Sequence, residues 1–405
     1  MDIKSIIQDR AAKYKSDVIA IRRHLHQNPE LSFKEFETAN YVEQKLREFG
    51  ITKISRLVTT GIVALIEGKN PTKKTIALRA DLDALPIIET NEIDYKSKNE
   101  GVMHACGHDV HTSSLLGVAK ILQELRSEFE GTVKLIFQPG EEKLPGGASL
   151  MIKEGVFDNP NVQSIIGQHV FPNMEVGKVG FRKGMYMAST DEIYVTVKGK
   201  GGHAALPGEY NNPLLIASSL LLELNKAFME NIPAYSKTEG EETPIPTVLA
   251  FGKITGNGAT NVIPEEVKIE GTFRTMDEEW RKNAHGKMKT IALEVAKKYH
   301  AEIDFNIELG YPFLVNNEQL TEHAKQAAVD YLGQENVIDL DIRMTAEDFA
   351  YYSQVKPACF YRLGVRNDNK GINAGLHTSK FNIDEDALEI SIGFMSWLTI
   401  SELKV

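Results

Sequence analysis

Within the nine residues Met103-His104-Ala105-Cys106-Gly107-His108-Asp109-Val110-His111 lie one thiol, three imidazoles and one carboxylate. Thiolate and imidazole are the borderline-soft donors that zinc and its transition-metal neighbours favour, and Gly107 lets the backbone turn so that Cys106 and His108 can face one centre. A buried thiol beside surface histidines would show the same spacing. Distant residues favour the metal. Glu142 follows Gln138-Pro139-Gly140-Glu141, His169 follows a β-rich run, and His377 ends the loop 369–376. Five donors (Cys106, His108, Glu142, His169 and His377) can hold two divalent ions with one donor between them, a layout that hydrolyses amides and esters through a shared water. Three would serve one catalytic zinc. Consecutive side chains of an extended segment point to opposite sides, so one of Glu141 and Glu142 can bind metal while the other takes a proton from the water. We assign the base to Glu141 and the ligand to Glu142, an order that spacing alone could reverse.

These groups need a scaffold that gathers them. Apolar residues at helical spacing predict a helix over 3–21, a polar loop over 22–29, and a second helix from Phe36 to Phe49, with Ser32 and Glu35 forming a capping-box signature. Strands are expected at 61–66, 75–80, 132–137 and 164–167, with a helix at 112–125. Strands alternating with helices imply an α/β fold with a mostly parallel sheet, whose strand C-terminal ends collect functional groups. Asp81, Glu141, Glu142 and His169 fall at such ends, and the Cys106/His108 loop, just before a helix, can reach the same edge.

From about Met187 the texture changes to half-exposed alternation. The order strand-helix-strand-strand-helix-strand over 187–311 fits an inserted ferredoxin-like α+β domain. It would interrupt a catalytic domain built from 1–186 and 312–405. The polar stretch 235–242 reads as an exposed loop. Within the insert, His203 on a glycine-rich turn is a candidate for steadying an oxyanion, or an exposed hairpin histidine. Asn261 and Arg274 could bind a substrate carboxylate, or be structural.

Lys plus Arg is 46 against Asp plus Glu 56, a net charge of −10 with no basic block, which argues against a nucleic-acid partner. No run approaches the ~18 apolar residues of a membrane span, and the polar start lacks a signal-peptide core, so a soluble, cytoplasmic protein is expected. Of two cysteines, Cys359 lies in an apolar run and reads as core.

Six segments, in order, match a known family. They are Leu25-His26-Gln27-Asn28-Pro29-Glu30-Leu31-Ser32, Arg79-Ala80-Asp81-Leu82-Asp83-Ala84-Leu85-Pro86, His104-Ala105-Cys106-Gly107-His108-Asp109, Gln138-Pro139-Gly140-Glu141-Glu142, Gly201-Gly202-His203-Ala204-Ala205 and Asn261-Val262-Ile263-Pro264. Over essentially its whole length the chain resembles the metal-dependent aminoacylase and carboxypeptidase family. Within it the chain is similar to the hippurate hydrolases, auxin-conjugate (indole-acetyl amino acid) hydrolases and N-acetyldiaminopimelate deacetylases. The resemblance implies a dinuclear amidohydrolase acting on small N-acyl amino acids, with a lid domain that mediates a homodimer. It implies Cys106 and Glu142 as ligands, Glu141 as base, and His203 reaching the active site, sometimes from the partner subunit. Arg79-Ala80-Asp81 stands where the wider family has His-x-Asp, so Asp81 is expected to support a ligand rather than bind. Gly140 stands where alanine is common, and Met344-Thr345-Ala346-Glu347-Asp348-Phe349 only approximates the usual run. Manganese or zinc is expected first, cobalt or nickel next. A dipeptidase or exopeptidase of the same architecture, and an inactive binding protein, are the rival readings.

Overall fold

The computed structural model describes residues 2–230, 234–236 and 242–405. The chain forms two compact units, the first from Met1–Gly184, Val315–Asp341 and Asp348–Val405, the second from Met185–Leu314 and Ile342–Glu347.

The first unit is built on an eight-stranded sheet. Thr132–Gln138, Thr75–Asp81, Ser164–Glu175 and Ala358–Arg366 lie side by side and parallel at its centre. Thr75–Asp81 and Thr132–Gln138 are buried at every position, as strands covered on both faces must be. Gly61–Glu67 and Ile54–Leu57 extend one edge antiparallel. Val179–Phe181 and Val337–Asp339 form the other. His169 lies inside Ser164–Glu175 rather than after a strand ending at 167. Because Arg79 pairs with Gly167, His169 still stands level with the end of Thr75–Asp81.

The helix His108–Glu124 begins four residues before the expected start at 112, so His108 opens it. Leu115, Leu116, Val118 and Ile121 are buried along it, each contributing about 1.5–3 kcal/mol. A helix buried on nearly every side cannot shift without opening cavities, which fixes the placement of its first residue.

Two local expectations fail for one reason, that polar residues here serve buried partners. The first helix runs from Ile3 to Gln27, through the residues read as a loop. Arg22 and His26 are fully buried. Arg22 Nε donates to Asp109 Oδ2 at 2.7 Å, and His26 lies 2.9 Å from the same oxygen and 3.1 Å from Glu89 Oε1. Against burial, Arg22 and His26 hold the Asp109 carboxyl far below the usual carboxylate range. Nor is there a capping box before Phe36–Glu48. Glu30 accepts from Thr38 N at 2.8 Å and Glu37 N at 3.2 Å, taking the capping role, while Ser32 and Glu35 point elsewhere. Arg22→Met is expected to lower stability by about 3–5 kcal/mol, because it strands the Asp109 charge. The denaturant midpoint measures it, and an unchanged midpoint would show that Asp109 does not depend on this partner.

The second unit carries a four-stranded antiparallel sheet in the order Thr247–Thr255, Glu266–Thr275, Asp191–Lys198, Glu302–Leu309. Ile193, Val195 and Val197 face a core closed by the helices Pro213–Asn225 and Glu278–Tyr299. Within the stretch read as a loop, Ala234–Ser236 pairs with Glu242–Pro244; residues 237–241 lie outside the described residues. Among the described residues no helix is long and apolar enough to cross a membrane.

Candidate metal centre

Cys106 lies in the loop before His108–Glu124, and the residue between Cys106 and His108 must be glycine. Gly107 has φ +86°, and a Cβ there would stand 2.5 Å from Val170 Cγ2. Glu141 and Glu142 follow Thr132–Gln138, His169 sits on Ser164–Glu175, which is parallel to it with Thr75–Asp81 between them, and His377 occupies a loop at φ 59°. From these separate places the donor atoms converge. Those of Cys106, His108 and His169 lie within 4.8 Å of one another, and so do those of Cys106, Glu142 and His377. Cys106 Sγ belongs to both groups, 3.4 Å from His169 Nε2 and 3.3 Å from His377 Nε2.

The imidazoles of His108 and His169 are each turned by a partner on the other nitrogen. His108 Nδ1 is 2.8 Å from the Asp83 carbonyl, and His169 Nδ1 is 2.8 Å from the Val170 carbonyl. A carbonyl only accepts, so both rings carry a proton on Nδ1 and turn Nε2 inward, the atom a cation would bind. His377 is placed by its backbone, whose N–H donates to the Ala105 carbonyl at 2.8 Å. His111 differs. Its Nε2 accepts from Val170 N at 2.9 Å and its Nδ1 donates to Asp81 Oδ1 at 2.6 Å. Asp81, His108 and His111 also cluster, but a ring engaged on both nitrogens has no lone pair to offer. Asp81 is likewise engaged, with Oδ2 held by Arg79 Nη1 at 2.5 Å.

The donor set fits divalent cations. His108 Nε2 and Glu142 Oε1 are buried without a hydrogen-bond partner, although Glu142 Oε1 lies 3.2 Å from His377 Nε2. Besides Glu142, the carboxylates of Asp81, Asp83 and Glu141 lie within 4 Å of His108. Against burial, Asp81, Asp83 and Glu142 push the His108 imidazole up to about 10. Burial, then Glu142 and Glu141, push the Cys106 thiol well up. Burial and Arg362 push His169 down. Such excess negative charge, paired with unsatisfied inward donors, is what a cation would neutralise.

Glu141 is buried, 3.9 Å from His108 Nε2 through Oε2, and Asp348 N donates to its Oε1 at 3.5 Å. Several groups around the cluster are absent from the sequence-based site. Asp348 accepts from Gln138 Nε2 at 2.7 Å and from Arg79 Nη2 at 2.9 Å, which joins the end of Thr132–Gln138 to Asp81. Asp83 accepts from Ser32 Oγ at 2.6 Å and Glu142 N at 3.0 Å. The period-2 spacing of Arg79, Asp81 and Asp83 was the available signal, since it puts them on one side of an extended segment.

The second unit contains the remaining candidates. His203, exposed on Gly202–His203, pairs in register with Val262, and Asn261 O accepts from Ala204 N at 3.1 Å, so His203 and Asn261 are neighbours. Arg274, on Glu266–Thr275, donates through Nη1 to the Met344 carbonyl at 3.0 Å.

The chain is similar to proteins already known. The model of peptidase family M20/M25/M40 matches residues 77–398. Thermostable carboxypeptidase 2 of Saccharolobus solfataricus is 36% identical over 395 residues, covering 96% of each chain. N-acetyl-L-cysteine deacetylase of Bacillus subtilis is 38% identical over 374 residues, covering 92% of this chain and 85% of the relative. A solved structure, described as a dinuclear metal-binding peptidase of the M20 family from Bacillus subtilis, matches with TM-score 0.82 at 31% identity, covering 97% of this chain and 99% of that one. The mixed α/β fold and the sequence similarity lead to one assignment: the chain belongs to peptidase family M20/M25/M40.

Proposed function

We propose that the chain hydrolyses N-acyl amino acids to a carboxylate and a free amino acid, with Cys106, His108, Glu142, His169 and His377 holding two divalent cations and Glu141 as general base. The observation that carries this reading is the pair of donor groups sharing Cys106, with a further carboxylate, Glu141, beside them. Two cations held there would supply Lewis acidity, polarising an amide carbonyl and acidifying a water. Glu141 takes the proton from that water as its oxygen bonds to the amide carbon, then gives the proton to the departing nitrogen as the C–N bond breaks. Manganese or zinc is the leading choice of ion, with cobalt and nickel next.

The second unit, in the βαββαβ order of a ferredoxin-like fold, is proposed as a lid spanning 187–311. We assign His203 to the oxyanion, in its own subunit or from the partner, and Asn261 and Arg274 to the amino acid's carboxylate, for which a guanidinium fork is suited. The same unit is proposed as a homodimer contact. Leu215 and Leu222 are exposed two turns apart on Pro213–Asn225, and Thr247–Thr255 is an edge strand among the described residues. Both cysteines are free, which supports a cytoplasmic setting.

The test is a panel of N-acetyl and N-benzoyl amino acids against dipeptides with free amines. Cleavage of the blocked compounds is expected. A chain that cleaves only unblocked dipeptides would be an exopeptidase, the direction indicated by the relative named thermostable carboxypeptidase 2. A metal-replete chain inert to both sets would be a binding protein.

A further inference from the structure

Glu141 stands in a turn whose two flanking backbone amides are each held by a buried carboxylate from a distant segment. Gly140 N donates to Glu35 Oε1 at 2.8 Å, and Glu142 N donates to Asp83 Oδ2 at 3.0 Å. Glu35 is fully buried, and its other partners are Phe33 N on Oε1 at 2.8 Å and the Thr60 hydroxyl on Oε2 at 2.8 Å. Asp83 is fixed in turn by the Ser32 hydroxyl at 2.6 Å. The short segment 30–35 also joins the Asp83 region through Ala84 N, which donates to the Glu30 carbonyl at 2.8 Å. Gly140 has φ +60°, and a Cβ there would stand 2.4 Å from Phe33 Cζ, so the turn is packed against this same segment. The side chains of Ser32 and Glu35 have the spacing of a helix cap yet cap nothing: Glu35 accepts from Gly140 N in the turn that carries Glu141, and Ser32 donates to Asp83, which accepts from Glu142 N in the same turn.

We propose that Glu35 is a positioning residue for Glu141, acting through its hydrogen bond to Gly140 N rather than through its charge. The proposal rests on the reading of Glu141 as the base. Glu35 meets two amides with one oxygen and a hydroxyl with the other. A neutral side chain of the same shape keeps all three contacts, because the Thr60 hydroxyl can accept where it now donates. Removing the side chain frees one end of the turn, and a displacement near 1 Å at a reacting group costs on the order of 10²-fold in rate.

The experiment compares Glu35→Ala, Glu35→Gln and Ser32→Ala in the metal-loaded chain, reading kcat, KM and ion content with an N-acetyl amino acid. Glu35→Ala is expected to lower kcat by roughly 10–10²-fold at unchanged KM with both ions retained. Glu35→Gln should restore the kcat of the unsubstituted chain. Glu35→Gln keeps the test valid if Glu35→Ala does not fold, because a fall in its kcat by itself contradicts the proposal; Ser32→Ala, which loosens Asp83 at the other end of the turn, should lower kcat by less. The proposal is overturned if Glu35→Gln falls as far as Glu35→Ala, which would make the charge essential. It is equally overturned if Glu35→Ala keeps full kcat or loses its ions along with its activity. An active Glu141→Gln would remove the base itself, whereas an inactive Glu141→Gln beside an unaffected Glu35→Ala removes only the role of Glu35.

Discussion

Glu141→Gln is expected to lower kcat by roughly 10²–10⁴-fold while the chain retains two divalent ions by elemental analysis. Glutamine keeps the shape and the contact with Asp348 N, so what is lost is a proton acceptor. Glu141 also clusters with His108 and Glu142, but it is in neither of the two donor groups that share Cys106, so ion content is expected to hold. Its loss should appear in kcat and kcat/KM equally, because a base contributes only as the proton moves in the transition state. Full activity in this variant would transfer the base to another group. Reduced ion content would make Glu141 a ligand.

Cys106→Ala is expected to bring ion content well below two per chain and to abolish hydrolysis. Its sulfur is the one atom common to both donor groups, so its removal weakens both positions at once. Loss of a group that merely supports a ligand costs about 10–100-fold in metal affinity, and loss of a shared ligand should exceed that. The neighbouring carboxylates cannot substitute readily, since Asp81 is held by Arg79 and His111, and Asp83 by Ser32 and Glu142 N. Two ions retained in the alanine variant would remove the shared-ligand role.

The convergence of the candidate donors was legible in the sequence because their chemistry is rare and their places follow from the alternation of strand and helix. Cys106 and His108 stand out by density. Glu142 and His169 follow from a parallel sheet whose strand ends line one edge, even though the strand bearing His169 continues to Glu175. What could not be read is the polar shell inside the protein. Arg22 and His26 look like a solvated loop because nothing local reveals that Asp109, more than 80 residues away, neutralises them. Ser32 and Glu35 have the spacing of a helix cap, and only the fold shows that their partners are Asp83 and Gly140. Local pattern predicts elements well where burial is apolar, and misleads where a buried charge is satisfied at long range.

Titration of the metal-free chain with manganese or zinc, followed as hydrolysis of an N-acetyl amino acid, tests most directly whether this family member is a two-metal amidohydrolase. Activity is expected to be absent without metal, to rise with added ion, and to level at two ions per chain. Activity that levels at one ion, or that persists undiminished with none, would contradict it.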